Sequence, residues 1–225
     1  MPAETAAFSD RHDAGRRLAA RLEPLRHEHP IIYALPRGGV PVAVEVAAAL
    51  DAPLDLVLVR KLGAPSQPEL AIGAVVNGDA AETVLNAEIV ALTGASPAFI
   101  AAARDEALAE IERRRTRYLA GRPRPNPRGR VAVVIDDGFA TGATARAALH
   151  SLRRRGASRL VLAVPVAPPD TAAAMRSEAD EVVCLLEPEN FWGVSSFYRD
   201  FHQLDDAEVI RLLDAAARQT NPDSG

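Results

Sequence analysis

Short runs of uninterrupted apolar residues alternate along the chain with longer stretches whose apolar positions recur every three or four residues. The first pattern is that of a strand buried on both faces, the second that of an amphipathic helix. Residues 9–28 predict an opening helix capped at Ser9 or Asp10, with Leu18, Leu22 and Leu25 along one face. A strand over 31–35 stops at Pro36-Arg37-Gly38-Gly39 and passes into a helix over 40–50. Further strands are expected over 54–59 and 70–76, with the polar stretch 60–69 as the loop between them. The β-branched run 131–135 predicts another strand, followed by a polar turn as far as Thr144 and a helix to Arg155. Strands over 160–164 and 181–186 flank a helix at 170–178, and a closing helix covers 205–218.

Apolar strands joined through helices imply an α/β fold with a doubly wound, mainly parallel sheet. Such sheets bind ligands outside the carboxyl ends of their strands. The polar loops after Leu35 and Ile135 therefore open on one edge, whatever the strand order. Residues 78–128 read as an insertion: a short strand and helix, a long helix from the Ser96-Pro97 cap to Leu119, and a Pro- and Arg-rich linker at 121–129. A length of 225 residues suits one domain. That domain is expected over 1–225, with its core at 31–76 and 130–186 and a small hood and C-terminal segment at 187–218.

Composition removes several function classes. With 48% apolar and 25% charged residues the chain is ordinary globular material, and its net charge of −4 gives no basic field for nucleic acid. A single cysteine, Cys184, excludes an intramolecular disulfide and a cysteine zinc site, and it reads as a core residue of its strand. The five histidines show no metal-ligand spacing. No window approaches the roughly 18 apolar residues of a membrane span, and the N-terminus lacks an apolar signal core, so a cytoplasmic protein without a membrane partner is expected. Of 26 basic residues only Lys61 is a lysine. It is either a chance survivor of drift towards arginine or a compact ammonium that a guanidinium cannot replace.

The segment Asp136-Asp137-Gly138-Phe139-Ala140-Thr141-Gly142-Ala143-Thr144 combines two kinds of chemistry. Two carboxylates at a strand end can hold hydroxyls or, through water, a hard divalent cation. The small residues and hydroxyls after them precede a helix, whose free amides and dipole favour an anion. Together they imply a phosphate ester bearing a diol. An ordinary capped turn would need neither the adjacent acids nor the small-residue run. No Walker lysine follows the glycine, and no Gly-x-Gly-x-x-Gly follows a strand.

Residues 133–144 resemble the signature of the type I phosphoribosyltransferases, which bind 5-phosphoribosyl 1-pyrophosphate (PRPP). The resemblance implies that Asp136 and Asp137 hold the ribose hydroxyls and that Ala140, Thr141, Gly142, Ala143 and Thr144 hold the 5-phosphate. Arg37-Gly38-Gly39 resembles the pyrophosphate loop of the family, although a Gly-Gly turn is often only a turn. Arg60-Lys61 resembles the basic pair that contacts pyrophosphate in the adenine and orotate branches. The likeness spans about 31–76 and 130–200. It implies Mg²⁺ brought with PRPP, in addition to Asp136 and Asp137 acting through water, and as partners PRPP, a purine or pyrimidine base or a nucleoside monophosphate, and a second copy in a homodimer.

The catalytic set then comprises Asp137, Lys61 and Glu69. Glu69 is the only carboxylate between Lys61 and Val76, a candidate acid–base group in a lid over 61–69 or simply a solvated charge. Ala140 replaces the aspartate usual in the hypoxanthine, guanine and xanthine branches, which argues against 6-oxopurines. Phe191 and Trp192 sit where the family's hood places an aromatic over the base, or else pack as surface aromatics. Phe197-Tyr198-Arg199-Asp200 resembles the ending of some purine enzymes, at a shorter spacing. Eight arginines and no acid lie between Arg113 and Arg130, reading as a solvated helix face and linker, with subunit contact or anion attraction as the alternative. The expected function is phosphoribosyl transfer; the alternative is a catalytically silent sensor of PRPP or nucleotides. Retention of Arg37, Lys61, Glu69 and the acid pair favours the enzyme.

Overall fold

The computed structural model describes residues 7–77, 82–119, 122 and 124–220. In chain order its elements are α1 (Arg11–Leu22), α2 (Gly39–Leu50) after strand β1 (Ile31–Ala34), then β2 (Leu54–Leu56), β3 (Val59–Ala64), β4 (Gln67–Val76) and β5 (Glu82–Leu85). There follow α3 (Ala87–Thr93), α4 (Pro97–Leu119), β6 (Val131–Ile135), α5 (Ala143–Arg154), β7 (Arg159–Val166), α6 (Pro169–Met175), β8 (Glu181–Leu186) and α7 (Asp206–Thr220).

The strands with the longest unbroken apolar runs lie in the middle. β1 and β6 are buried at every position and run parallel, Ile31 opposite Ala132 and Ala34 opposite Ile135. All pairs in the five-stranded sheet are parallel, in the order β2-β1-β6-β7-β8. Because side chains alternate along a strand, Ile32, Ala34, Val133 and Ile135 join one core with Leu18 and Leu22 of α1, Val42 and Val46 of α2 and Val209 and Leu213 of α7. Tyr33, Ala132 and Val134 face the other way, onto Leu149 and Leu152 of α5 and Ala172 and Met175 of α6. The sheet is thus covered on both faces. No described helix is long and apolar enough to cross a membrane.

The opening helix begins one residue past its cap, Asp10, which accepts a 2.7 Å bond from the amide of Asp13. It tightens to a 3₁₀ turn over Glu23–Glu28, where Pro24 enters. Leu18, Leu22 and Leu25 are buried as the periodicity required. The expected short strand, helix and long helix of 78–119 appear as β5, α3 and α4; residues 78–81, and 121 and 123 of the expected linker, lie outside the described residues.

Residues 60–69 correct the sequence reading. They are not a loop or a lid over 61–69: β3 and β4 form an antiparallel ribbon, paired from Val59–Val76 to Ala64–Gln67, with Pro65 and Ser66 at its turn. β5 adds a third strand at Gly73–Val76. Residues 70–76 therefore belong to this separate small sheet rather than to the parallel one, and the main-sheet strand expected over 54–59 ends at Leu56. Pro68 is accommodated because it falls in the irregular stretch between the Gly63–Ala71 and Ala64–Gln67 pairs, where it has no paired residue. Asn77 anchors the root of the ribbon: its Oδ1 accepts from the Leu58 amide at 2.8 Å, and the Asn77 amide donates to the Leu58 carbonyl at 3.0 Å.

Candidate active site

The loops after β1 and β6 converge because the two strands are neighbours. A Cβ on Gly38 would lie 2.1 Å from Oδ2 of Asp137, and one on Gly39 would lie 2.6 Å from the carbonyl oxygen of Ile135. Glycine is thus needed here to let the Arg37-Gly38-Gly39 backbone rest directly on the acid pair. The Pro36–Arg37 peptide bond is cis. Arg37 turns its guanidinium outwards, 3.8 Å from Asp206 at the start of α7.

Asp137 is held on three sides. Its Oδ2 accepts from Nε of Arg11 at 2.8 Å, its carbonyl accepts from the hydroxyl of Tyr198 at 2.6 Å, and its amide donates to Oδ1 of Asp136 at 2.9 Å. Arg11 is itself buried, lies 3.7 Å above the ring of Phe201 and donates from Nη1 to the carbonyl of His202 at 3.0 Å. Burial raises the carboxyl pKa of Asp137 against the opposing pull of Arg11. Asp136 is raised further, by burial and by the Asp137 carboxylate beside it. The pair therefore holds a proton more readily than free aspartates do. Burial also pushes the Tyr198 hydroxyl well up, so it remains a donor.

A short turn past the acids, α5 begins. Gly142 precedes it at φ 68°, a left-handed conformation suited to glycine, and the first intrahelical bond runs from the Arg146 amide to the Gly142 carbonyl at 2.8 Å. The amides of Ala143, Thr144 and Ala145 lie before that bond at the positive end of a 12-residue helix. Ala140, Thr141 and Ala143 are exposed, and Thr171 donates to the Ala140 carbonyl at 2.9 Å, pinning the turn to α6.

The two basic residues of β3 part company, as neighbours on a strand must. Arg60 reaches towards Glu110 of α4, at 3.9 Å. Lys61 is exposed and lines a cavity of about 510 Å³ between the ribbon and α5, shared with Gly73, Ala74, Ala143, Thr144 and His150. Glu69 is exposed on β4, two positions from Ala71, which also lines that cavity. Phe191 stacks on Phe197 with ring centroids 5.7 Å apart, whereas Trp192 is 90% exposed. Arg199 is exposed; its amide, not its side chain, is engaged, donating to the Phe8 carbonyl at 2.9 Å. Phe8 and Ser9 run beside residues 197–200, the Phe8 amide donating to the Phe197 carbonyl at 2.9 Å, so that both ends of the domain contribute to the cover above Asp137. Cys184 is partly buried, its thiol pushed up to about 11 chiefly by burial, and is no nucleophile at neutral pH.

A family model described as phosphoribosyl transferase domain matches residues 8–202. The chain belongs to this family. It is 50% identical over 211 residues to a protein of Mycobacterium tuberculosis provisionally named a phosphoribosyl transferase, a match covering 94% of this chain and 47% of the relative. The same identity and coverage hold for that protein in a second strain. The chain thus spans about half the length of these curated relatives. Among solved structures, TT1426 of Thermus thermophilus superposes with a TM-score of 0.78 at 43% identity, over 92% of this chain and 97% of that one. The mostly parallel sheet flanked by helices is the fold the family implies.

Arg11, Tyr198 and Asn77 carry structural duties at or beside the site that the sequence reading missed. Nothing in the first turn of α1 marks Arg11, since its partner lies 126 positions away. Tyr198 lies inside a segment whose arginine draws the attention. No group of three or more acidic, histidine or cysteine side chains suited to a metal occurs among the described residues. Asp136 and Asp137 fit a hydrated divalent cation only if a ligand supplies further oxygens.

Proposed function

We propose that this chain transfers the 5-phosphoribosyl group of PRPP to a nitrogenous base, releasing pyrophosphate and forming a nucleoside monophosphate. The observation that supports the reading is the seating of Gly38 on Asp137, with the Arg37-Gly38-Gly39 loop, the acid pair and the start of α5 at one strand edge. Asp136 and Asp137 accept hydrogen bonds from the ribose hydroxyls, with Arg11 fixing the orientation of Asp137. The amides at the start of α5 bind the remote 5-phosphate, so binding energy positions C1. As the C1–O bond to pyrophosphate breaks and the base nitrogen bonds to C1, the ring gains oxocarbenium character. Arg37, Lys61 and the Gly38 amide stabilise the departing charge. A hydrated Mg²⁺, which Asp136 and Asp137 would help to hold, would supply further neutralisation of the leaving group. Glu69 takes the proton of the incoming base, and the cover around Tyr198 and Phe191 keeps water from the cation. With Ala140 in place of an aspartate, adenine, orotate or uracil suits the site better than a 6-oxopurine.

Purified protein supplied with PRPP, Mg²⁺ and adenine, uracil, orotate, hypoxanthine or guanine tests this through pyrophosphate release, alongside calorimetry of PRPP binding. Turnover with one of the first three, and PRPP binding lost in Asp137→Asn, are expected. Equal PRPP affinity in wild type and Asp137→Asn refutes the assignment, and efficient use of hypoxanthine or guanine refutes the base preference.

A further inference from the structure

The arginine-rich stretch of α4 is expected from sequence to face solvent, and Arg113, Arg114 and Arg117 do so, while Arg115 turns inwards. Arg115 is buried against Asp55 at 3.3 Å, and Arg122 pairs with Asp214. Arg113, Arg114 and Arg117 instead converge with Arg37 on a recess of about 380 Å³ between α4 and α7. Two carboxylates stand among them. Asp206 lies 2.7 Å from Arg117 and 3.8 Å from Arg37, and also accepts from the Tyr118 hydroxyl at 2.6 Å. Glu110 pairs with Arg113, with Arg114 at 2.7 Å, and with Arg60 at 3.9 Å. Four of the lining residues are arginines and two are carboxylates, so positive charge in the recess is in excess by two. Asp206 is held below the usual carboxylate range by the Tyr118 hydroxyl, Arg117 and Arg37, so it stays charged.

A charge excess of this kind, concentrated in a concave site, is relieved by an anion. Guanidinium forks match phosphate oxygens in pairs, which favours phosphate over a point anion. Six of the seven residues lining the recess are charged and the seventh is Tyr118, itself buried. No apolar wall is offered to a nucleobase. We propose that this recess on the insertion helix is a binding site for an inorganic condensed phosphate, pyrophosphate or a longer chain, apart from the cradle at α5. Arg37 belongs both to the recess and to the loop seated on Asp137. Occupation of the recess thus draws on a side chain that the proposed transfer also uses, giving a product or a cellular polyphosphate a means of acting on that loop.

Calorimetry with pyrophosphate, tripolyphosphate, orthophosphate and GDP, on the whole chain at low and moderate salt, tests the site. Arg113→Gln/Arg117→Gln is expected to weaken pyrophosphate and tripolyphosphate at least fivefold; a smaller loss overturns the proposal. GDP binding more tightly than pyrophosphate also overturns it, because that requires a base contact the recess lacks. If the double variant does not fold, mass-spectrometric mapping of arginine modification by phenylglyoxal in the wild type decides: pyrophosphate shields Arg113, Arg114 and Arg117, and unshielded arginines refute the site. Neither readout uses turnover. Shielding without PRPP binding would retain this site while the transfer reading fails.

Discussion

Replacing Arg11 with methionine is the sharpest single test of how the site is held. Methionine keeps much of the stem that lies over Phe201 while removing the guanidinium from Asp137 and from the His202 carbonyl. The two side chains are only 8% and 12% exposed, so solvent cannot take over as it does for a surface pair. Removing one partner of such a pair strands a buried charge and costs about 3–5 kcal/mol. For a chain of this size each kcal/mol lowers Tm by roughly 2–4 °C. Arg11→Met should therefore melt at least about 6 °C below wild type at pH 8, in a scan followed by circular dichroism. Asp137 can escape the penalty by taking a proton, so the deficit should shrink at pH 5. Adding Asp137→Asn to Arg11→Met should recover part of the loss, because the stranded charge is gone. A deficit below about 1 kcal/mol at pH 8, the range of an exposed pair, would refute the view that Arg11 supports the acid pair.

Three further outcomes are expected. Gly38→Ala pushes a methyl into the clamped Asp137 carboxylate and should weaken PRPP binding at least tenfold by calorimetry, with the fold retained by circular dichroism. Asp136 has its pKa raised by folding, so it adds most to stability below its unfolded value near about 4 and loses that contribution as pH rises through its folded value; in urea unfolding, Asp136→Asn should therefore gain on wild type as pH increases from about 4 to 8. Lys61→Arg, at an exposed position, should leave Tm within about 1 °C yet lower turnover at least tenfold once a base is known, while full turnover would make the sole lysine a chance survivor.

Elements with one strong local signal were legible in the sequence. The strand 131–135, the strand 181–186 and the helix from Pro97 to Leu119 match residue for residue, since an unbroken apolar run or a Ser-Pro cap speaks for itself. The ribbon was not, because Gly63, Pro65 and Pro68 are loop residues by local preference. Gly63 is in fact required there, since a Cβ would lie 2.4 Å from the Pro68 carbonyl oxygen, and only the partner strand explains it. The acid pair and the small-residue turn could be read directly, being contiguous. The partition of Arg60 from Lys61 follows from their being on a strand, so misreading the strand hid it. Arg11 and the recess between α4 and α7 depend on contacts between distant segments, which no local pattern encodes.

The pairing of residues 8 and 9 with residues 197–200 bears on the order in which the molecule is made. A chain emerging from the ribosome can close β1 on β6 only after some hundred residues have intervened, and can lay Phe8 and Ser9 against the cover only after nearly two hundred more have followed them. Contacts of such separation form late, because the entropy of closing the loop precedes any reward. The parallel core can thus consolidate while the cover above Asp137 is still open, making the ligand-binding edge the last part to acquire its native form and the first to open locally. Hydrogen exchange should then protect the amides of Phe8, Arg199 and Asp200 as one unit, more weakly than those of β6, and a ligand at the acid pair should raise the protection of that unit above all others.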